Sequence, residues 1–515
     1  MRKVFTTQLI KARFIGVCLV ACAAAQSQAN DDTHSPAPSP SISSFKPCRI
    51  GVAPMTLPAE CATLEVSFTH GLVPADKPAA ASSEKQLPQT LTLSLARLSA
   101  RTKTAASDPV TIIAGGPGQG AQASWPQLAA AFYPILANRD VYLIDQRGTG
   151  NSAAMKCPTA PAGSGFSNDL NEVELTAQAC HDSQSLRTEW FTTSVAVRDL
   201  DAVRQALGVD QWNLYGVSYG TRVALHYLRR YPQHTSSVIL DAVVPPQKPI
   251  GPELPLHSQQ SLDALFARCE ADKGCADAFP NLAKNTNQLF ESLKTTAREV
   301  EYENLSRGAL ESITFTDQHL AMSVRLLSYS SYGTAILPSM LHDAAVNDNL
   351  APFARQVAIQ ESQLGGSLAT GMHAAVICTE DAPFIKTLPN RSELQKTFLG
   401  DFIVDAMVAS CKPWPQGVID DDFNDPVKAD VPVLALSGSV DPITPPAYAE
   451  LAISELTNAR HIINPQQAHT QAPLGCTPTL MSQFVETKEP ATLNIDCLNR
   501  LSPPALFVDA NGPLP

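Results

Sequence analysis

The 515-residue chain has no run of lysines and arginines, no Cys-x-x-Cys pair and, past its N-terminus, no stretch near 18 uninterrupted apolar residues. Each absence excludes something. With 37 Lys+Arg against 49 Asp+Glu, a net charge of −12 and no basic run, nothing could track a phosphate backbone, so nucleic acid is excluded as a partner. The histidines nearest to cysteines, His181 and His373, stand alone. Without Cys-x-x-Cys pairs they give zinc no ligand set, and no metal is expected. The lack of a long apolar run leaves no transmembrane helix to expect in the mature chain.

What is present fits a globular protein. Hydrophobic residues make up 44% of the chain, an ordinary fraction. The 41 prolines point to extended connections and short helices rather than a helical bundle. The length suits one large α/β domain with a sizeable insertion, or two or three smaller domains.

The N-terminus reads as an export signal. Arg2, Lys3, Lys11 and Arg13 precede an apolar run, Phe14 to Ala25, too short to span a bilayer. Two processing readings are open. Ser27-Gln28-Ala29 is a small-x-small site that would release a soluble periplasmic or secreted protein. Leu19-Val20-Ala21-Cys22 resembles a lipobox, in which Cys22 would carry a lipid anchor. Twelve cysteines agree with export. Setting aside Cys18 and Cys22 leaves Cys48, Cys61, Cys157, Cys180, Cys269, Cys275, Cys378, Cys411, Cys476 and Cys497. Five bridges between sequential neighbours are the simplest pairing, with free buried thiols as the alternative.

Short apolar runs read as strands: Leu91–Leu98, "VTIIA" from Val110, "VYLI" from Val141, Ser237–Leu240 and "VPVLAL" from Val431. Helical stretches lie between them. Ser194–Leu207 has one apolar face and Thr193 or Ser194 as a candidate N-cap, and Thr221–Tyr231 is closed by Pro232. Strands alternating with helices imply a mostly parallel sheet covered on both faces. From about Pro245 to Pro426 the pattern is mainly helical and polar, which reads as an inserted lid.

"NLYGVSYGTRVA" contains Gly216-Val217-Ser218-Tyr219-Gly220, a G-x-S-x-G pattern. After a strand and before a helix this places a nucleophilic serine on a strained turn, with glycines where a Cβ would crowd. The inert alternative is a glycine-rich turn around a satisfied serine. A serine needs a base. Of eleven histidines, His226 and His234 lie too near the turn in sequence, and His461 begins the run "HIINP". His469, in the polar loop after that run, is the best placed. Asp441, after the strand in "VLALSGSVDPITPP", supplies the orienting acid, and the order Ser218, Asp441, His469 is that of an α/β hydrolase. The loop "AGGPGQG" after "VTII" and the residue following the nucleophile supply two oxyanion donors, assigned to Gly116 and Tyr219. The turn Asp145–Ser152, "DQRGTGNS", reads as structural. No organic cofactor is called for.

"GGPG", "DQRGTGNS", "GVSYGT", "LSGSVDPITPP" and a late histidine, in this order, resemble the α/β-hydrolase peptidases related to prolyl iminopeptidase. They are most similar to the exported tripeptidyl aminopeptidase branch with its TAP-like C-terminal segment. The resemblance covers roughly residues 45 to 500. It implies an α/β-hydrolase fold with Ser218 as nucleophile, Asp441 as orienting acid and His469 as base. It also implies a bridged pair Cys476 and Cys497, and release of amino acids or short peptides, tripeptides included, from free N-termini. The family often has a histidine where Ala114 stands, and glycines where Ala468 and Thr470 flank His469. The implied organisation is a signal over 1–29, a linker over 30–45, core over 46–245, lid over 246–426, and core with the TAP-like segment over 427–515. An aminopeptidase must hold a protonated amine. Glu380 and Asp381, beside Cys378 and held by a Cys378–Cys411 bridge, are expected to do so at the mouth of the site. A carboxylesterase or lipase with the same triad is the alternative activity.

Overall fold

A computed structural model describes residues 42–72, 87–158, 169–305, 307–387, 390–509 and 511–513. The expected signal, Cys22, and residues 30–41 of the linker lie outside the described residues.

The strands in chain order are β1 (Lys46–Val52), β2 (Met55–Ser67), β3 (Thr90–Leu98), β4 (Val110–Ile113), β5 (Val141–Ile144), β6 (Trp212–Val217), β7 (Thr235–Asp241), β8 (Arg298–Asn304), β9 (Ala309–Phe315), β10 (Val433–Gly438) and β11 (Ala459–Asn464). Nine form one sheet in the order β1-β2-β3-β5-β4-β6-β7-β10-β11. Pairing is antiparallel from β1 through β3 to β5 and parallel across the rest. The fold is that of an α/β hydrolase, mostly parallel and helix-covered.

Parallel strands buried on both faces need apolar residues at every position, and β4, β5 and β10 are buried throughout. Successive side chains then feed opposite faces. Leu214, Val238, Leu240, Val433 and Ala435 pack with the helices Thr193–Ala206 and Tyr219–Arg230. Tyr215, Ile239, Leu434 and Leu436 pack on the other side with the helices Ala121–Phe132 and Thr477–Thr487.

Between β7 and β10 the chain leaves the sheet and builds its own core, around Leu262, Phe290, Phe315, Leu320, Leu337 and Phe353. This insertion is mainly helical, but it also carries the β8–β9 hairpin, which the sequence reading did not anticipate. Nor did it anticipate β1 and β2. The helix expected from Ser194 begins at Thr193, and its N-cap is Thr192 rather than Thr193 or Ser194. The ten cysteines among the described residues are paired: Cys48–Cys61, Cys157–Cys180, Cys269–Cys275, Cys378–Cys411 and Cys476–Cys497.

Candidate active site

Four parallel strands end at one edge of the sheet, and each delivers a candidate group. Ser218 follows β6, the Gly115–Gly118 loop follows β4, Asp441 follows β10 and His469 follows β11. Loops at the C-terminal ends of parallel strands are the usual location of sites in such sheets.

Ser218 has φ 56 and ψ −127, a conformation that costs a non-glycine residue about 1–3 kcal/mol and clusters at active sites. The surrounding glycines make this turn possible. A Cβ on Gly216 would run into the backbone of Gly220, and one on Gly220 would strike the Ile113 carbonyl of β4. The second clash adds a contact outside the turn to the crowding expected within it. Gly220 is needed because the helix start rests on the neighbouring strand.

His469 Nδ1 is 2.8 Å from Asp441 Oδ2. Asp441 is buried. Its Oδ1 accepts the N–H groups of Ile443 at 2.9 Å and Thr444 at 3.0 Å, and Thr444 Oγ1 donates to Oδ2 at 2.7 Å. Burial works against the His469 imidazolium, but the charge and hydrogen bond of Asp441 outweigh it and hold His469 above the ordinary histidine value. Burial likewise pushes Asp441 up, and the His469 contact together with the Thr444 hydrogen bonds more than reverses that. With Nδ1 committed to Asp441, Nε2 is the nitrogen left for a serine proton. No hydrogen bond joins Ser218 to His469. Such contacts are often loose before substrate binds.

The two halves are joined through a residue that sequence reasoning missed. Asp241, the last residue of β7, accepts the Ser218 N–H on its carbonyl at 2.9 Å. Its carboxylate accepts the N–H groups of Gln471 at 2.7 Å and Ala472 at 2.8 Å, and the Tyr215 hydroxyl at 2.8 Å. It is fully buried, and burial raises its carboxyl against these three donors. One residue thus fixes the serine turn and the histidine loop together. The available signal was a charged residue ending the apolar run "VIL" of Val238–Leu240. Asp241→Asn sets an amide NH2 against an N–H donor. We expect kcat to fall about ten- to a hundredfold. Loss of a negative charge near His469 lowers the imidazolium pKa, so the acid limb of the pH–rate profile moves to lower pH. An unmoved limb would leave Asp241 a purely structural part.

The departure from glycine beside His469 also has a geometric meaning. Thr470 has φ 71, a left-handed conformation that glycine adopts freely and a β-branched residue does not. The loop keeps the shape a glycine would favour, with threonine carrying the strain. Other histidines have separate partners: His226 contacts Asp420, His70 contacts Asp199, and His461 on β11 meets Ser437 on the neighbouring β10.

The expected oxyanion donors lie on either side of the serine. The Gly115–Gly118 loop abuts it, with a Cβ on Gly115 coming 3.0 Å from Ser218 Cβ. Gly116 has φ 110. Tyr219 opens its helix, where the first N–H groups lack intrahelical acceptors. Neither the Gly116 nor the Tyr219 N–H has an acceptor among the described residues. The "DQRGTGNS" turn is buried at Asp145, Arg147, Thr149 and Ser152, with Gly150 and Asn151 exposed at its tip. Asp145 accepts the Gln122 and Asn151 N–H groups, and burial pushes its carboxyl up to about 6. Arg147 makes a buried two-pronged contact with Asp199.

Glu380 and Asp381 are not at a solvent-facing mouth. They are 1% and 0% exposed. Glu380 accepts the Thr193 N–H at 2.7 Å and its hydroxyl at 2.9 Å, and Thr193 Oγ1 lies 2.6 Å from the Tyr219 hydroxyl. Asp381 takes Arg222 at 2.9 Å and the Ile250 N–H at 2.6 Å. The physical reason is Arg222. A buried guanidinium on the helix after Ser218 draws carboxylates inward. Burial pushes Glu380 up to about 7 despite Arg222. The pair supports Tyr219 and its helix from beneath.

The insertion covers the site from two directions. Ala369 N–H donates to the Gly118 carbonyl at 2.9 Å and His373 Nδ1 lies 3.2 Å from the Pro117 carbonyl, both on the glycine loop. The His469 N–H donates to the Tyr329 carbonyl at 3.1 Å, and the two rings meet edge to face at 5.1 Å.

Sheet order, turn and acid–histidine pair define an α/β hydrolase. Residues 108–292 match the family model described as alpha/beta hydrolase fold. Residues 396–497 match the one described as TAP-like protein, so the chain has the α/β-hydrolase fold and a C-terminal segment similar to TAP-like proteins. It is similar to a tripeptidyl aminopeptidase of Streptomyces coelicolor, 30% identical over 26% of this chain and 28% of that protein. It is also similar to the serine protease Hip1 of Mycobacterium tuberculosis, 26% identical over 55% and 56% of the two chains. A proline iminopeptidase of Neisseria meningitidis is 27% identical over 26% of this chain and 32% of its own. The matches thus span between roughly a quarter and somewhat over half of each relative.

Proposed function

We propose that this chain is an exported serine peptidase that removes amino acids or short peptides, tripeptides among them, from free N-termini. The observation that carries the reading is a serine at positive φ on the same sheet edge as His469 paired with the buried Asp441. His469 Nε2 takes the Ser218 proton as Oγ attacks the scissile carbonyl. Asp441 holds the imidazole with Nδ1 protonated and stabilises the imidazolium. The Gly116 and Tyr219 N–H groups receive the oxyanion, the imidazolium protonates the leaving amine, and water then cleaves the acyl-enzyme. The relatives named as tripeptidyl aminopeptidase and proline iminopeptidase support a peptide substrate. Five disulfides support an oxidising compartment.

The test compares aminoacyl and tripeptidyl anilides bearing a free amine, their N-acetylated forms and short-chain acyl esters, with peptide products read by mass spectrometry. N-acetylation should abolish anilide cleavage, and product masses give the number of residues released. Rapid ester hydrolysis with untouched anilides would overturn the reading in favour of a carboxylesterase or lipase. The intact mass of the mature chain separates cleavage after Ala29 from lipidation at Cys22.

A further inference from the structure

We propose that Arg325, on the insertion, is the contact for a carboxylate carried by the substrate, so that the site selects peptides with an acidic group near the scissile bond. This rests on the peptidase reading above.

Arg325 lies near the end of the helix Asp317–Leu327. Its guanidinium is part-buried, and its one hydrogen bond among the described residues is from Nη2 to the Tyr329 hydroxyl at 2.8 Å. Its Nε is buried without a hydrogen-bond partner. No carboxylate among the described residues pairs with it, whereas Arg139, Arg147, Arg198, Arg204 and Arg222 all have one. A guanidinium stays charged at every working pH, and a desolvated cation is costly unless paired.

Its place gives that cost a purpose. The guanidinium stacks over the Tyr329 ring at 5.4 Å, and that ring meets His469 edge-on. Its charge works against protonation of both His469 and His373, and His373 rests on Pro117 of the glycine loop. Arg325 is thus joined to the base through Tyr329, and its charge is also felt at His373 on the glycine loop. An unneutralised cation here opposes the imidazolium that forms during attack. A substrate carboxylate would remove that penalty and gain two charge-assisted hydrogen bonds from the guanidinium fork. Such a carboxylate comes either from the C-terminus of a short peptide or from an aspartate or glutamate side chain.

The experiment uses the full mature chain, its Arg325→Gln and Arg325→Lys variants, and two matched sets of free-amine peptides. One set pairs C-terminal acid with C-terminal amide, the other aspartate with asparagine. Wild type should show a KM about tenfold or more lower for the acidic member of one set. Arg325→Gln should bring that ratio near one, with Arg325→Lys between. The responding set identifies the source of the carboxylate. Protection of Ser218 from a fluorophosphonate probe by the same peptides reads the contact without cleavage. Selective protection without cleavage would sink the peptidase reading and leave the Arg325 contact standing. Equal KM and equal protection for acid and amide in wild type, or equal losses on both in Arg325→Gln with melting unchanged, overturns the proposal. If the glutamine variant fails to fold, the lysine variant decides in the same way.

Discussion

Ser218→Ala is expected to lower kcat by several powers of ten while leaving KM for free-amine anilides nearly unchanged. The substitution removes the nucleophile and little else. The Gly116 and Tyr219 N–H groups, free of other acceptors, remain in place. Residual turnover should therefore still exceed the uncatalysed rate, because oxyanion donors and binding act without the serine. The turn should survive, since its shape depends on Gly216 and Gly220 and on the Ser218 N–H to Asp241 carbonyl bond rather than on the hydroxyl. The checks are steady-state kinetics, loss of fluorophosphonate labelling and an unchanged melting temperature. Near wild-type kcat in this variant would remove Ser218 from the mechanism.

The parts legible in the sequence are those in which local pattern and tertiary role coincide. β4 and β5 are continuous apolar runs because both faces of a parallel sheet are buried. The serine turn is legible because a strained backbone demands glycines at fixed positions. β1, β2, β8 and β9 were missed. Charged and apolar residues alternate in "REVEYEN" of β8, with every second side chain buried, and such a strand depends on a partner that the sequence does not point to. In the site, local sequence shows which residues end strands and leaves open which loops those ends join. Asp241 gains its role by spanning β6 and the loop after β11, which sequence separates by more than two hundred residues. Glu380 and Asp381 looked like surface carboxylates because nothing nearby in sequence announced Arg222. Arg325 was equally silent, since an arginine on a helix of the insertion is ordinary until its missing partner is seen. Thr470 illustrates the reverse case, in which a residue type ill suited to a left-handed backbone nevertheless occupies one.

Asp441→Asn is expected to reduce kcat by about four powers of ten although the two side chains have the same shape. The reason lies in the donors around Asp441. Oδ1 already accepts two backbone N–H groups, from Ile443 and Thr444. An asparagine must place its only acceptor, the amide oxygen, there, because an NH2 in that position would face two donors. The amide nitrogen then falls where Oδ2 was, pointing at His469 Nδ1, and Thr444 Oγ1 turns to accept from it. A donor at that position obliges Nδ1 to be unprotonated, which moves the ring proton to Nε2. His469 then meets Ser218 with an N–H and cannot take its proton. Loss of the carboxylate also removes the main influence holding the imidazolium pKa above the ordinary histidine value, so the remaining activity should persist to lower pH. Only the neutral ring is a base, which fixes the direction of that shift. Turnover and its acid limb, measured together, separate the two effects. A fall in kcat without a downward move of the limb would assign Asp441 to loop structure, and an unchanged kcat would shift the acid's role to Asp241.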